Sequence, residues 1–166
     1  MFKRIDFIKI ISAHIKTLRS LNQTSNLIYW KDLLLFYFIP IGFSIFLFNY
    51  NISIKSQVAN LIAAISILGG FLFNLLAIIY NSMNNLKTDA ESSGIKKKYI
   101  KEIHSNISYN ILVSIFLIVF LIVYNIDLKF IFISKFVEIT TMFLLTHFFL
   151  TLLMVLNRIY ILLDKE

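Results

Sequence analysis

Four stretches of this 166-residue chain hold no Asp, Glu, Lys or Arg and are apolar for most of their length. They lie between Asp32 and Lys55, Lys55 and Lys87, His104 and Asp127, and Glu138 and Arg158. The hydrocarbon core of a bilayer is about 30 Å thick and takes roughly 20 helical residues to cross. Each run supplies that length or nearly so. Inside the core every backbone N–H and C=O has to be satisfied without water, which a helix does within its own segment. The expected fold is therefore an all-α integral membrane protein with four transmembrane helices, at about residues 33–50, 58–81, 106–125 and 137–160. Composition agrees: 58% of residues are hydrophobic, against about 45–50% for soluble domains.

Charge sets the expected orientation. Thirteen of the sixteen basic residues fall in the N-terminal segment, in the connection between the second and third spans, and at the C-terminal end. Lys55, Lys129 and Lys135 are the other three. Basic residues concentrate on the cytoplasmic side, and an even number of spans returns both termini to that side. The expected location is a bacterial cytoplasmic (inner) membrane, multi-pass, with both termini inside.

The opening segment, MFKRIDFIKIISAHIKTLRS, scatters its charges through an apolar pattern and lacks the continuous apolar core of a signal peptide. It is expected to stay on the protein. Ile5, Ile8, Ile11, Ile15 and Leu18 recur at three and four, the spacing of an amphipathic helix at a membrane surface or against partner helices. Residues 1–24 are thus read as an amphipathic cytoplasmic or interfacial helix, and 25–166 as the four-helix transmembrane domain. Within the latter, 82–105 contains one turn signal, Ser92-Ser93-Gly94, flanked by helix-compatible sequence. A cytoplasmic helical hairpin extending the second and third spans is expected there.

Three spans carry a polar line. In the second, Ala59, Ala63, Ser66, Gly70, Asn74, Ala77 and Asn81 fall on one helical face. In the third, Asn106, Asn110 and Ser114 follow at steps of four; in the fourth, Thr140, His147, Thr151, Met154 and Arg158 lie close to one line. Lipid tails are as apolar as leucine, so membrane helices associate through small residues and cross-helix hydrogen bonds rather than apolar burial. An ionisable side chain such as His147 at mid-span faces a bundle interior or an aqueous cavity. Ser66, Gly70, Asn74, Asn81, Asn110, Ser114, His147 and Thr151 are accordingly candidates either for interhelical packing or for lining a pore in a homo-oligomer. In the first span Pro40 is expected to kink the helix.

Lys96, Lys97, Lys98 and Lys101, with Arg158, form a candidate basic patch for anionic lipid or another anionic ligand. The tendency of basic residues to gather on the cytoplasmic side explains such a patch equally well. No pairing of carboxylates, nucleophile with base, or metal-ligand spacing occurs, and the chain has no cysteine. No catalytic residue, metal or cofactor is expected.

The segment WKDLLLFYFIP, followed by SILGGFLFNLL and then the basic hairpin, resembles the small multi-span membrane effectors of bacterial anti-phage defence systems, the Hailong-type membrane effector and the Kiwa-type membrane subunit among them. The likeness covers the architecture along most of the chain and rests on short motifs. It implies a homo-oligomer, with a tetramer as the working number. For the Hailong type it implies a channel held closed by a nucleic-acid oligomer that a partner nucleotidyltransferase makes. On that implication the N-terminal helix and residues 96–101 become candidates for an anionic nucleotide or oligonucleotide site on the cytoplasmic face, with a separate partner supplying the signal. The sequence thus leads to two expectations. One is a normally closed homo-oligomeric channel whose opening depolarises or permeabilises the membrane. The other is a non-conducting scaffold in membrane lipid that recruits a soluble partner.

Overall fold

The computed structural model describes residues 6–18, 30–50, 52–88, 94–126 and 130–164, and their regular structure is helical throughout. Helix α1 is Phe7–Thr17, α2 is Trp30–Asn49, α3 is Val58–Thr88, α4 is Gly94–Asn125 and α5 is Ile131–Asp164. Helices α2 to α5 are each long and apolar enough to cross a membrane, which makes the chain a multi-pass membrane protein. At 31, 32 and 34 residues, α3, α4 and α5 run to roughly 46–51 Å at 1.5 Å per residue, longer than a bilayer core. Helix α3 reaches Thr88 and α4 starts at Gly94. Ser92 and Ser93 of the expected turn, and Ile5 of the N-terminal helix, lie outside the described residues.

Helix α4 is the centre of the bundle. Helices α1, α3 and α5 all pack on it, while α2 packs on α5. Half of the most apolar window of α4 is buried, against 17% of that of α2, so α2 presents most of its Leu, Ile and Phe side chains outward. The seam between α3 and α4 is built from Val58, Ile65, Leu72 and Ile79, buried at steps of seven. That repeat keeps one edge of α3 on its neighbour, as in a coiled coil. Gly69 lies on the same edge: a Cβ added there would meet Ser114 Oγ of α4 at 3.5 Å, whereas one added at Gly70 would meet nothing within 4 Å.

Helix α1 begins at Asp6, whose carboxylate accepts the Lys9 backbone N–H at 3.1 Å. An acceptor at this position satisfies one of the free donors of the first turn. The helix runs antiparallel to α4: the Phe7 ring meets Phe116 at 6.0 Å, His14 stacks on Tyr109 at 3.8 Å, and Thr17 reaches Asn106. The buried side of α1 is His14, Thr17 and Leu18, while Ile8 is 79% exposed. The apolar line read from the sequence is thus divided: Leu18 is fully buried with His14 and Thr17, whereas Ile8 and Ile11 stay exposed. Hydrogen bonds to Asn106 join Leu18 on the docking face.

In α2 the backbone widens into a π turn over Leu34–Phe38, just before Pro40. Pro40 has no N–H for the carbonyl four residues back, that of Phe36. The His147 Nδ1 of α5 takes its place, 2.7 Å from the Phe36 carbonyl oxygen. The proline thus turns a missing bond inside α2 into a bond between α2 and α5. The hydroxyl of Ser44 caps the Pro40 carbonyl one turn later.

Candidate functional site

The line on α4 is buried together with His147 and Thr151 of the line on α5, while Thr140, Met154 and Arg158 are half-buried. A carbonyl only accepts, so His147 donates its Nδ1–H to Phe36 and its Nε2 accepts the Tyr109 hydroxyl proton at 2.8 Å. The rings of Phe143 and Tyr37 close around the imidazole at 5.6 and 5.2 Å. Thr151 Oγ1 reaches Asn110 Oδ1 at 2.7 Å and also its own helix's His147 carbonyl at 2.9 Å. Ser114 donates to the Ile111 carbonyl in its own helix. His147, Thr151, Asn110 and Ser114 therefore meet one another or their own helices inside one subunit.

Helix α1 extends this network. His14 and Thr17 both bond Asn106 Oδ1, at 3.0 and 2.6 Å. Beside them Arg158 donates to Glu102 at 3.2 Å and to the Thr17 carbonyl at 2.6 Å. Arg158 thereby ties α1, α4 and α5 together and faces inward, apart from the exposed Lys97, Lys98 and Lys101. Burial pushes the His14 imidazole down to about 4, with the Asn106 bond opposing that shift and the nearby His147 and Arg158 adding to it. Three fully buried polar atoms, His14 Nε2, Asn106 Nδ2 and Asn110 Nδ2, have no partner among the described residues. Two of the three sit where α1 meets α4, so this joint is the less satisfied part of the network.

The line on α3 is different. Ala59, Ala63, Ser66, Gly70, Asn74, Ala77 and Asn81 are all exposed, on the side of α3 turned away from the Ile65–Leu72 edge. Asn74 stands well inside the uncharged run between Lys55 and Lys87.

The exposed lysines gather at a third place. Lys98 and Lys101 of α4 face Lys9 and Lys16 of α1 across an open cleft of about 390 Å³, with Ser12 and Ser105 on its walls. Lys96 and Lys97 lie on the same turns of α4 outside this lining. Sequence reasoning did not find His14, Thr17, Tyr109 or Glu102. The available signal was the His14/Thr17 pair, three apart on one side of an amphipathic helix.

Comparison with known proteins returns no matching family model, no matching curated protein and no matching solved structure.

Proposed function

We propose that the chain is a homo-oligomeric channel of a bacterial inner membrane, closed at rest, with both termini in the cytoplasm. The observation that carries this reading is the outward polar line of α3. Lipid tails offer Asn74, Ser66 and Asn81 no hydrogen bond, so these side chains require either a second copy of the chain or water. A tetramer around a common axis gives each α3 both. Helix α1 adds weight. Asp6, exposed, caps it next to Phe7, whose ring meets Phe116, about 16 Å into the uncharged run of α4 at 1.5 Å per residue. A carboxylate at that depth favours an aqueous surface over a lipid one. Opening would depolarise the cell, in keeping with the resemblance to anti-phage membrane effectors.

Asn74→Leu tests the reading. A leucine in place of a pore-facing amide dewets the pathway, so the variant is expected to run as an oligomer in mild detergent and to lose conductance in liposomes. Loss of the oligomer instead would make Asn74 a packing residue and remove α3 from the pathway. Wild-type liposomes that hold their dye under every condition would favour the non-conducting scaffold.

A further inference from the structure

The geometry points to a binding site for a phosphate-bearing anion in the cleft between α1 and the basic end of α4. Lys9 and Lys16 lie seven apart on one helix and Lys98 and Lys101 three apart on another, and the fold brings all four to one recess with the hydroxyls of Ser12 and Ser105. The preference of basic residues for one side of a membrane puts lysines at one end of a bundle. It does not make them converge from two helices on one hollow. The carboxylate on the wall, Glu102, is engaged by Arg158 at 3.2 Å, which leaves the lysines as the dominant charge. A volume of about 390 Å³ falls within the range of roughly 300–1,000 Å³ typical of small-ligand sites.

Depth selects the ligand. Lys98, Lys101 and Glu102 are the last charged residues of α4 before its uncharged run begins, so the cleft stands where a span leaves the hydrocarbon for the headgroup layer. Lys9 starts alongside that run and lines the cleft with its long side chain, as lysines near helix ends do when they reach for the interface. The phosphate of an anionic phospholipid is the group found at that level. A soluble phosphate ester entering from the aqueous side presents the same chemistry to the same lysines. Either occupant bridges α1 to α4, across the joint that holds two unpartnered buried polar atoms, and so fastens α1 in place.

The site rests on the membrane-spanning reading and not on conduction, and the test is made without a conductance measurement. The full chain in non-ionic detergent is titrated with phosphatidylglycerol or phosphatidylcholine, and bound lipid is counted by native mass spectrometry. Phosphatidylglycerol is expected to bind more tightly. Lys16→Ala/Lys101→Ala, in which both side chains are exposed, should weaken it about tenfold or more, since each lysine near an anionic surface contributes about 1 kcal/mol. Lys16→Arg/Lys101→Arg should retain it, and Lys55→Ala/Lys135→Ala, at the other end of the bundle, should leave it unchanged. Inorganic pyrophosphate is the second arm: if it binds through the same lysines and phosphatidylglycerol does not, the phosphate site stands and its occupant comes from solution. Equal weakening by the two alanine pairs, or none by Lys16→Ala/Lys101→Ala with either probe, overturns the site.

Discussion

The polar line of α4, from Asn106 through Asn110 to Ser114, and that of α3, from Ser66 through Gly70 and Asn74 to Asn81, use small and amide side chains at the same helical spacing. The first is buried and the second exposed. Position in the bundle makes the difference. Helix α4 has neighbours on three sides, so its polar atoms find the Thr151 hydroxyl, the Thr17 hydroxyl and the His14 ring. Helix α3 packs on α4 through its apolar edge, and its polar line is left for something outside the subunit. One polar line holds a subunit together, and the other is the surface through which we propose that subunits meet each other and water.

Adjacent glycines give the sharpest way to break that comparison. Gly69 lies on the α4 side of α3, and Gly70 on the outward line. A leucine at Gly69 would drive α3 off Ser114, and overpacking of this kind typically costs about 1–3 kcal/mol. Gly69→Leu is expected to lower the melting temperature in detergent and to reduce recovery of folded protein. A leucine at Gly70 meets open space inside the subunit, so Gly70→Leu should keep the wild-type melt while changing the oligomer seen by size-exclusion chromatography with light scattering. Identical behaviour of the two variants would mean that α3 does not have the two distinct faces described here.

His147 tests the buried side. In His147→Phe a ring of similar size remains, but the Phe36 carbonyl loses its donor and the Tyr109 hydroxyl its acceptor. An unmet buried polar group costs about 1–3 kcal/mol, so a clear drop in thermal stability is expected. His147→Phe/Pro40→Ala should recover part of it, because an alanine in place of the proline can supply the N–H that the Phe36 carbonyl lacks. A drop that Pro40→Ala leaves untouched would uncouple His147 from the proline.

These contrasts show how far the sequence could be read. The four spans were legible because lipid forbids charge, and missing charge is visible in one dimension. Pro40 was legible as a local backbone effect, but its bond to His147 was not, since it depends on α2 packing against α5 rather than against α3, its successor in the chain. The apolar line of α1 left open whether it meets a membrane surface or partner helices, and the structure divides it, with Leu18 buried and Ile8 exposed. Beside a membrane helix an exposed Ile8 loses little, while His14 and Thr17 gain a partner in Asn106, so hydrogen bonding outweighs apolar periodicity. The polar lines themselves were visible, but which one is enclosed follows from how many helices surround each. Periodicity does not carry that information.

Helix α1 should respond to acid more gently. His14 is neutral when docked, and its imidazole is held down to about 4 from an ordinary value near 6.5. The undocked form therefore takes up a proton more readily, and docking weakens as pH falls. The stabilising contribution is fully present above about pH 6.5 and is lost as pH falls through about 4. Amide exchange in α1, corrected for the intrinsic pH dependence, should show protection declining through that window. His14→Gln should flatten the decline, and a wild-type profile that is already flat would remove His14 as its source.

The smallest effect is expected at Asn110 and Thr151, although their hydrogen bond is short and fully buried. Thr151 has one hydroxyl proton and three acceptors within reach: Asn110 Oδ1 at 2.7 Å and the carbonyls of His147 and Phe148 at 2.9 Å each. Remove Asn110, and the proton turns to its own helix. Remove Thr151, and Asn110 loses one donor while its Nδ2 was already without a partner among the described residues. A double-mutant cycle of Asn110→Ala and Thr151→Ala, read from stability in detergent, should therefore give a coupling at or below the average of about 0.6 kcal/mol for membrane helices. A coupling near the observed maximum of about 1.7 kcal/mol would show the buried line to be a strong clamp. By the same logic the outward line of α3 would then gain as much on pairing with a second copy.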